Sequence, residues 1–194
     1  VAVSSSFAAK WLVPRLDEFM KKMPEADVRI DVSDRVRDFD RDEIDVAIRF
    51  GNGQYPGYKV DRLFDNTIFP VCSPTLLKSK QPLKHPRDLL QHMLIHVEWS
   101  GQGVIWPNWR MWMLAAGVTD FNPGPGLHFD HSSLALQAAI DGQGVALGDS
   151  SLVADDLAAG RLVQPFALTI KGPPQFAYYV LTPLETVEEP MVRT

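Results

Sequence analysis

Two strand-like segments that end at small residues constrain the fold of this chain most strongly. The strand at the start of the chain runs into the serines 4–6 and then into an apolar helix pattern, and the buried strand 45–50 ends at Gly51. A strand that leads directly into a helix is typical of an open α/β sheet, whose ligands bind at the carboxyl ends of the strands. The sequence therefore predicts a binding site at these serines rather than a recognisable catalytic centre.

The rest of the chain continues this alternation of strand and helix patterns. Apolar residues spaced three and four apart predict a first helix over residues 6–22, in which Pro14 predicts a kink. The predicted strands are 1–5, 28–32, 45–50, 59–73, 94–98, 126–130, 144–148, 161–165 and 175–182, and the further helices are 34–42, a short one from Pro74, 106–117, 132–141 and 150–159. This pattern predicts an α/β fold with largely parallel sheets.

The order of these elements indicates two lobes. Residues 73–164 can close as a unit of their own, inserted into a first lobe that is made of residues 1–72 and 165–194. Two crossing strands would join the lobes. Clefts between such lobes are common sites for small molecules.

The charge balance argues against direct contact with nucleic acid. The chain has 19 basic and 24 acidic residues, a net charge of −5, so we expect any nucleic acid to be bound by a part that is not shown here. The single Cys72 excludes an internal disulfide and fits a reducing compartment, and its apolar neighbours predict a buried, inert thiol. No signal peptide or membrane span is predicted, and the start at Val1 is typical of a fragment.

The sequence Asp130-His131-Ser132-Ser133 contains the residue types of a hydrolase triad. Triad members are usually distant in sequence, and no Gly-x-Ser-x-Gly elbow surrounds these serines. The favoured interpretation is that Ser132 or Ser133 caps the helix 132–141 and contacts a ligand. Ser/His hydrolysis is the alternative.

A metal site is not predicted. His92 and His96 are four residues apart, as metal ligands on a helix can be. The apolar residues around them predict a strand instead, which would separate the two histidines by about 13 Å. No carboxylate or cysteine completes a site.

Two further motifs have simple structural interpretations. The glycines of segment 142–148 follow a helix rather than a strand, so Gly142 or Gly144 is predicted to end that helix instead of binding a nucleotide, and no cofactor is predicted. Tryptophans at 106, 109 and 112 fall at helical spacing, which favours a buried helix face. An aromatic wall over a ligand is the second interpretation of these tryptophans.

Two predicted helix starts share one chemistry. Ser5 or Ser6 begins the first helix, Ser132 or Ser133 begins the helix after strand 126–130, and the two belong to different lobes. If both face a cleft, their amides, hydroxyls and positive dipole ends favour a small anion, above all a carboxylate. The alternative is that these serines only cap their helices.

Several longer segments resemble one known family. They are FAAKWLVPRLDEFMKKMPEADVRI from Phe7, DFDRDEIDVAIRFGNGQYPG from Asp38, PVCSPTLL from Pro70, FDHSSLALQAAIDGQGVALGDSSLVADDLAAGRLVQPF from Phe129 and YYVLTP from Tyr178. Together they resemble the effector-binding domain of LysR-type transcriptional regulators, in the branch of the glycine-cleavage activator and the β-lactamase-gene regulator. The resemblance covers most of the chain in the expected order.

The resemblance implies a fold and an assembly. The expected fold has two Rossmann-like lobes joined by two crossover strands, similar to type 2 periplasmic binding proteins, with an effector in the interlobe cleft. An amino-terminal winged helix-turn-helix domain, absent from this sequence, would contact promoter DNA. The effector domains would pair side by side and antiparallel in a cytoplasmic homodimer or homotetramer.

The resemblance also implies a set of ligand-binding residues. They are Ser5, Ser6, Asp34, Arg35, Arg49, Phe50, Gly51, Asp130, Ser132, Ser133, Tyr178 and Tyr179. The aromatic residue of the returning strand falls on either of the two tyrosines. The segment 102–122 is longer than this branch leads us to expect, which affects the wall of the pocket in the second lobe.

We therefore predict an effector-sensing and oligomerisation domain of a bacterial transcription regulator, with a small anionic ligand and no enzymatic activity. The main alternative is a free-standing solute-binding protein of the same fold. A Ser/His hydrolase is the third interpretation. Control by a protein partner or a peptide instead of a small effector is a further possibility.

Overall fold

The computed structural model describes residues 1–33, 44–78, 81–98 and 105–188. The chain divides into two compact units, the first made of Val1–Asp65 and Pro174–Thr194 and the second of Asn66–Pro173. The sequence predicts the two boundaries at 72/73 and 164/165. Both boundaries differ in the structure, because the strands Thr67–Cys72 and Ile170–Lys171 belong to the sheet of the second unit. The predicted helix 34–42 lies outside the described residues.

The described part of the first unit contains a five-stranded mixed sheet. Its strands are β1 (Ala2–Val3), β2 (Asp31–Val32), β3 (Ala47–Gly51), β4 (Tyr58–Arg62) and β10 (Ala177–Pro183), in the order β2-β1-β3-β10-β4. β1 is parallel to both neighbours, whereas the returning strand β10 is antiparallel to β3 and β4. The carboxyl ends of β1 to β4 and the amino end of β10 therefore share one edge, which we call the first carboxyl edge.

The helical segment that follows β1 changes its winding around Pro14. It consists of α1 (Ser5–Phe7), a π-helical turn (Ala8–Leu12), a 3-10 turn (Val13–Arg15) and α2 (Leu16–Lys22). Proline has no N–H to donate and its ring clashes with a carbonyl of the preceding turn, so a regular α-helix is interrupted. The predicted interruption at Pro14 thus takes the form of a change in winding, with a tight 3-10 turn at the proline.

The described part of the second unit contains another five-stranded mixed sheet. Its strands are β5 (Thr67–Cys72), β6 (Leu94–Val97), β7 (Leu127–Phe129), β8 (Val145–Asp149) and β9 (Ile170–Lys171), in the order β7-β6-β8-β5-β9. β6 is parallel to β7 and β8, and β5 is antiparallel to β8 and β9. The carboxyl ends of β6, β7 and β8 and the amino end of β5 form the second carboxyl edge.

Five short helices accompany this second sheet in the described residues. They are α3 (Pro74–Leu77), a 3-10 helix (Pro86–Gln91), α4 (Trp109–Ala115), α5 (Ser132–Ile140) and α6 (Ser150–Ala158). Helix α5 is followed by Gly142 with φ +75°, so the predicted helix end at this glycine is confirmed. None of the helices in the described ranges combines the length and the apolar character that crossing a membrane requires.

Tryptophans of α4 form much of the core of the second unit. Trp109 and Trp112 are 2% and 0% exposed, and their indole N–H groups donate to the carbonyl oxygens of Ile95 (2.9 Å) and Leu168 (3.2 Å). A buried indole needs such a partner, because an unpaired buried donor is unfavourable. The predicted buried helix face is confirmed for these two residues. The half-buried Trp106 instead packs against Gly172.

Two predicted strands differ from the structure. The stretch 59–73 forms two strands, β4 and β5, which belong to different sheets. The predicted strand 161–165 makes only an isolated bridge between Val163 and Cys72. The two sheets are also mixed rather than largely parallel, since β10 and β5 run against their neighbours. The α/β class with two sheets is confirmed.

Candidate functional site

The first carboxyl edge gathers the chain segments that the sequence predicts to bind a ligand. Ser4 follows β1, Ser33 follows β2, and β3 ends at Gly51. The Ser33 N–H donates to the Val3 carbonyl (2.9 Å), which extends the ladder to the ends of the two strands. The topology thus brings the first serines and the end of β3 to one edge of one sheet.

The first helix begins at Ser5, with Ser4 at the N-cap position. A serine thus holds the cap position, but the Ser4 side chain makes no capping hydrogen bond to the helix. Ser6 is 9% exposed and Ser5 is half-buried. A side-chain cap therefore does not explain why serines occupy this turn.

Arg49 and Gly51 lie on one face at the end of β3. Arg49 is buried, and its Nη1 atom donates to the carbonyl oxygen of Ser33 (2.5 Å), which ties the end of β3 to the residue after β2. The Tyr55 hydroxyl occupies the space that a Cβ would fill at Gly51. Burial raises the pKa of Tyr55, although the Arg49 charge acts in the opposite direction.

The two candidate tyrosines of β10 point to opposite faces of the sheet, as neighbours in a strand must. Tyr178 pairs with Phe50 across the ladder, and its ring centroid lies 5.0 Å from that of Phe50 and 4.4 Å from that of Phe7. Tyr179 lies opposite Arg49, and its hydroxyl donates to the Gln175 carbonyl (2.7 Å). Tyr178 is therefore the tyrosine on the side of the first helix. Of the other predicted residues, Asp34 and Arg35 lie outside the described residues.

The second carboxyl edge carries the predicted residues of the second unit. β7 leads through the exposed Asp130 into helix α5, which begins at Ser132. The predicted cap at Ser132 or Ser133 is wrong, because His131 holds the N-cap position and provides no side-chain capping hydrogen bond. The two serines occupy the first turn of the helix instead, half-buried.

The geometry of this turn does not favour a hydrolytic triad. His131 Nε2 and Asp130 Oδ2 lie 3.9 Å apart, longer than the hydrogen bond by which a carboxylate orients a catalytic histidine. The two side chains are 37% and 81% exposed, whereas a triad carboxylate is buried. Ligand contact is the better interpretation of this turn.

The sequence analysis did not identify a polar cluster at the start of β5 and α6. Asp149 caps α6 by accepting hydrogen bonds from the Ser151 N–H (2.9 Å) and hydroxyl (2.7 Å), and its other oxygen accepts one from the Asn66 side-chain amide (2.8 Å). The Ser150 hydroxyl accepts a hydrogen bond from the Thr67 N–H (3.1 Å). A strand that ends in Asp-Ser-Ser is a recognisable capping signal, but Asn66 is distant in sequence.

A second group that the sequence analysis did not assemble lies on β6 and β7. His96 and His128 stack with ring centroids 4.6 Å apart, and Glu98 Oε1 lies 3.0 Å from His128 Nδ1. The described residues contain no group of three or more His, Cys, Asp or Glu side chains that could hold a metal ion. Cys72 is fully buried, and burial raises the pKa of its thiol to about 11, which confirms the predicted inert thiol.

Comparison with known proteins identifies one family. The model of the LysR substrate binding domain family matches residues 1–194. The chain is 43% identical over 166 residues to the glycine cleavage system transcriptional activator of Escherichia coli (strain K12), which covers 86% of this chain and 52% of that protein. The chain thus spans about half the length of this curated relative. The relative is a transcriptional regulator rather than an enzyme.

Solved structures agree with this match. The AmpR effector binding domain from Citrobacter freundii has a TM-score of 0.74 and 28% identity, over 99% of this chain and 90% of that chain. A Citrobacter freundii effector binding domain with three substitutions has a TM-score of 0.74 and 27% identity, over 99% and 91%. Those substitutions are threonine to valine, serine to alanine and tyrosine to phenylalanine, and each removes a hydroxyl.

Proposed function

The chain belongs to the family of LysR substrate binding domains, and from this we propose that it is the effector-sensing and oligomerisation domain of a bacterial LysR-type transcription regulator. The match of the family model to the full length of the sequence carries this proposal. The effector shifts the population of domain conformations by its differential affinity for them, which changes how attached DNA-binding domains engage a promoter.

We propose that the effector is a small anion, in the first place a carboxylate. Serines in the first turns after β1 and β7 support this chemistry, because hydroxyls and backbone amides at helix starts are suited to anions. The three substitutions in the Citrobacter freundii domain likewise affect side chains that carry a hydroxyl group. Ser6, Ser132 and Tyr178 are the hydroxyl residues that we propose to contact the effector here.

The proposed set has further members. They are Ser5, Asp34, Arg35, Arg49, Phe50, Gly51, Asp130, Ser133 and Tyr179. The contacts of Tyr178 with Phe7 and Phe50 favour it over Tyr179 as the ligand-facing tyrosine, because Tyr179 donates its hydroxyl to a backbone carbonyl on the opposite face.

The first test is thermal unfolding of this domain with amino acids, small carboxylates and muropeptide-like fragments. A ligand that binds the folded state raises the unfolding temperature by mass action. A compound that does so would then be titrated by calorimetry against Ser6→Ala and Ser132→Ala. We expect each variant to weaken its binding about tenfold or more, because a hydrogen bond to a charged group contributes about 1.5–3 kcal/mol.

Thr119→Ala is the matched control, because this exposed residue lies in the connection from α4 to the amino end of β7. It should bind the compound as the wild type does. Unchanged affinity in both serine variants would exclude the proposed anion contacts. No stabilisation by any compound would favour control by a protein partner or a peptide.

Further proposals concern the longer protein. We propose that an amino-terminal helix-turn-helix domain supplies the DNA contacts, since the net charge of −5 of this chain does not suit a phosphate backbone. We propose that the domains form a homodimer or homotetramer, with the helical segment 5–22 of one copy against a second-unit helix of another. A cytoplasmic location would follow from this function.

A further inference from the structure

Six aromatic residues of the first unit meet at the first carboxyl edge. Phe7 lies in the first helical turn after β1, Phe50 lies at the end of β3, and Phe64 follows β4. Phe176 and Tyr178 lie at the amino end of the antiparallel strand β10, and Trp11 lies one turn beyond Phe7. The chain thus brings flat apolar side chains from four strand ends to the edge where ligands of open α/β sheets bind.

These rings are in contact with one another. The Phe7 centroid lies 5.0 Å from Trp11, 6.2 Å from Phe64 and 4.4 Å from Tyr178. Trp11 and Phe64 are 5.4 Å apart, and Phe50 lies 5.0 Å from Tyr178 and 6.1 Å from Phe176. All these separations fall in the range of favourable aromatic pairs. We call this set of six residues the aromatic wall.

Burial divides the wall into an inner and an outer part. Phe7, Phe176 and Tyr178 are 0%, 4% and 6% exposed and belong to the interior of the unit. Trp11, Phe50 and Phe64 are only partly buried. Partly exposed rings that rest on buried rings gain stabilisation when a further flat, apolar group covers them.

The wall is also held in a fixed geometry. The Arg15 guanidinium lies 4.7 Å from the centroid of the Trp11 ring, and its Nη1 atom donates to the Trp11 carbonyl (2.9 Å). The Leu63 N–H donates to the Tyr178 carbonyl (2.9 Å), which fixes the backbone before Phe64. A surface already organised in this way loses little conformational entropy when a ligand binds.

From these observations we propose that the effector is a carboxylate that carries an aromatic or similarly flat unsaturated group, which packs on Phe50, Phe64 and Trp11. This proposal rests on the small-anion effector proposed above and specifies its apolar part. A small carboxylate such as acetate or glycine has too little apolar surface to cover the rings of the wall. The wall therefore acts as a specificity element, and the serines at the edge hold the charge.

The test compares carboxylates of different shape on this domain. Benzoate, phenylacetate and indole-3-acetate carry a flat ring, cyclohexanecarboxylate has similar size without flatness, acetate has only a methyl group, and glycine is a small zwitterion. We expect at least one of the aromatic acids to bind about three- to tenfold more tightly than cyclohexanecarboxylate in calorimetry, and far more tightly than acetate. Benzamide, which keeps the ring without the charge, should bind weakly.

Substitutions in the aromatic wall test whether these residues cause the preference for aromatic acids. Phe50→Leu and Phe64→Leu keep the volume roughly constant and should each weaken binding of the aromatic acid about three- to tenfold. Tyr58→Leu is the control, because Tyr58 begins β4 and so lies at the other end of that strand. It should leave the affinity unchanged. Circular dichroism of each variant verifies the fold, and two independent wall positions keep the test valid if one fails to fold.

The outcomes separate this inference from the proposed function. Equal or tighter binding of cyclohexanecarboxylate, acetate or glycine would overturn the aromatic assignment while the small-anion proposal stands. Unchanged affinity of an aromatic acid in both wall variants would also overturn it. If none of the acids binds, the small-anion effector and the inference that depends on it both fall.

Discussion

His96 and His128 lie directly opposite each other on β6 and β7, with their ring planes 7° from parallel. Burial lowers the pKa of His96, and the neighbouring His128 acts in the same direction, whereas Glu98 opposes them. The folded state therefore binds a proton at His96 less readily than the unfolded state does. His96 therefore contributes to the free energy of unfolding at neutral pH. This contribution is lost as the pH falls below 6.5, the ordinary pKa of histidine.

We expect the His96→Gln variant to show a smaller loss of unfolding free energy between pH 7.5 and 5.5 than the wild type. Glutamine does not take up a proton in this range, so the contribution of His96 to the pH dependence disappears. Urea unfolding at both pH values measures the difference. An identical loss in His96→Gln would show that the stack does not disfavour the proton.

Residue roles were predictable where the local sequence determines them. The burial of Cys72 follows from its apolar neighbours, and the left-handed backbone of Gly142 follows from its place after a helix. The choice between Tyr178 and Tyr179 could not be made from sequence, because adjacent strand residues alternate faces and the register of β10 decides which face is which. The partner of Asp149 was not predictable, because Asn66 is 83 residues away.

Helix α6 is capped by the Asp149 carboxyl group, and the burial of this group disfavours its ionised form. Three hydrogen bonds to Asp149 favour the ionised form, but burial has the larger effect and raises the pKa of this carboxyl. The folded state thus holds this proton more tightly than the unfolded state, and the contribution to stability falls as the pH rises from the ordinary pKa of 3.8 through the folded value. Asn66 Oδ1 is buried and has no hydrogen-bond partner among the described residues.

We expect Asp149→Asn and Asp149→Ala to differ clearly in unfolding free energy at pH 7. Asparagine still caps the helix and carries no charge, and a rotated Asn66 amide can accept its N–H, so Asp149→Asn should match or exceed the wild type. Alanine removes the cap and should cost about 1–2 kcal/mol. Denaturant unfolding of both variants measures the difference.

The exposed Asp141 provides a control, because Gln137 bonds it at the surface. Asp141→Asn should leave the unfolding free energy at pH 7 unchanged. Asp149→Asn as unstable as Asp149→Ala would mean that the negative charge itself stabilises α6. An uncharged cap would then not be sufficient to stabilise this helix.

Element types were predictable to a larger extent than element boundaries. The alternation of strands and helices follows from hydrophobic periodicity, and the irregular winding between α1 and α2 follows from Pro14. The break between β4 and β5 was not visible, because both strands are rich in residues that favour extended structure and the separation arises from pairing in different sheets. The direction of β10 likewise depends on long-range pairing.

At the scale of the whole molecule, the proposed dimer can be tested with two matched valines. Val13 in the first helical segment and Val32 on the edge strand β2 are both 52% exposed. A buried charge in an apolar interface is unfavourable, so Val13→Glu should weaken self-association about tenfold or more, and Val32→Glu should not. Analytical ultracentrifugation over a range of concentrations measures the association.

A wild-type chain that sediments as a monomer of 21.7 kDa at all concentrations would contradict self-association of this domain alone. Equal weakening by both valine variants would instead assign the effect to general charge repulsion. The thermal stability of each variant is measured in parallel, because an unfolded variant also fails to associate.

The buried thiol of Cys72 makes this protein well suited to spectroscopic labelling. It is the single cysteine of the chain, it is fully buried, and its pKa of about 11 keeps it protonated at neutral pH. Maleimide reagents attack thiolates that solvent can reach, so the native chain needs no cysteine replacement before labelling. One engineered surface cysteine in each unit would then carry a donor and an acceptor dye, and energy transfer between the dyes would report directly whether an effector moves the units.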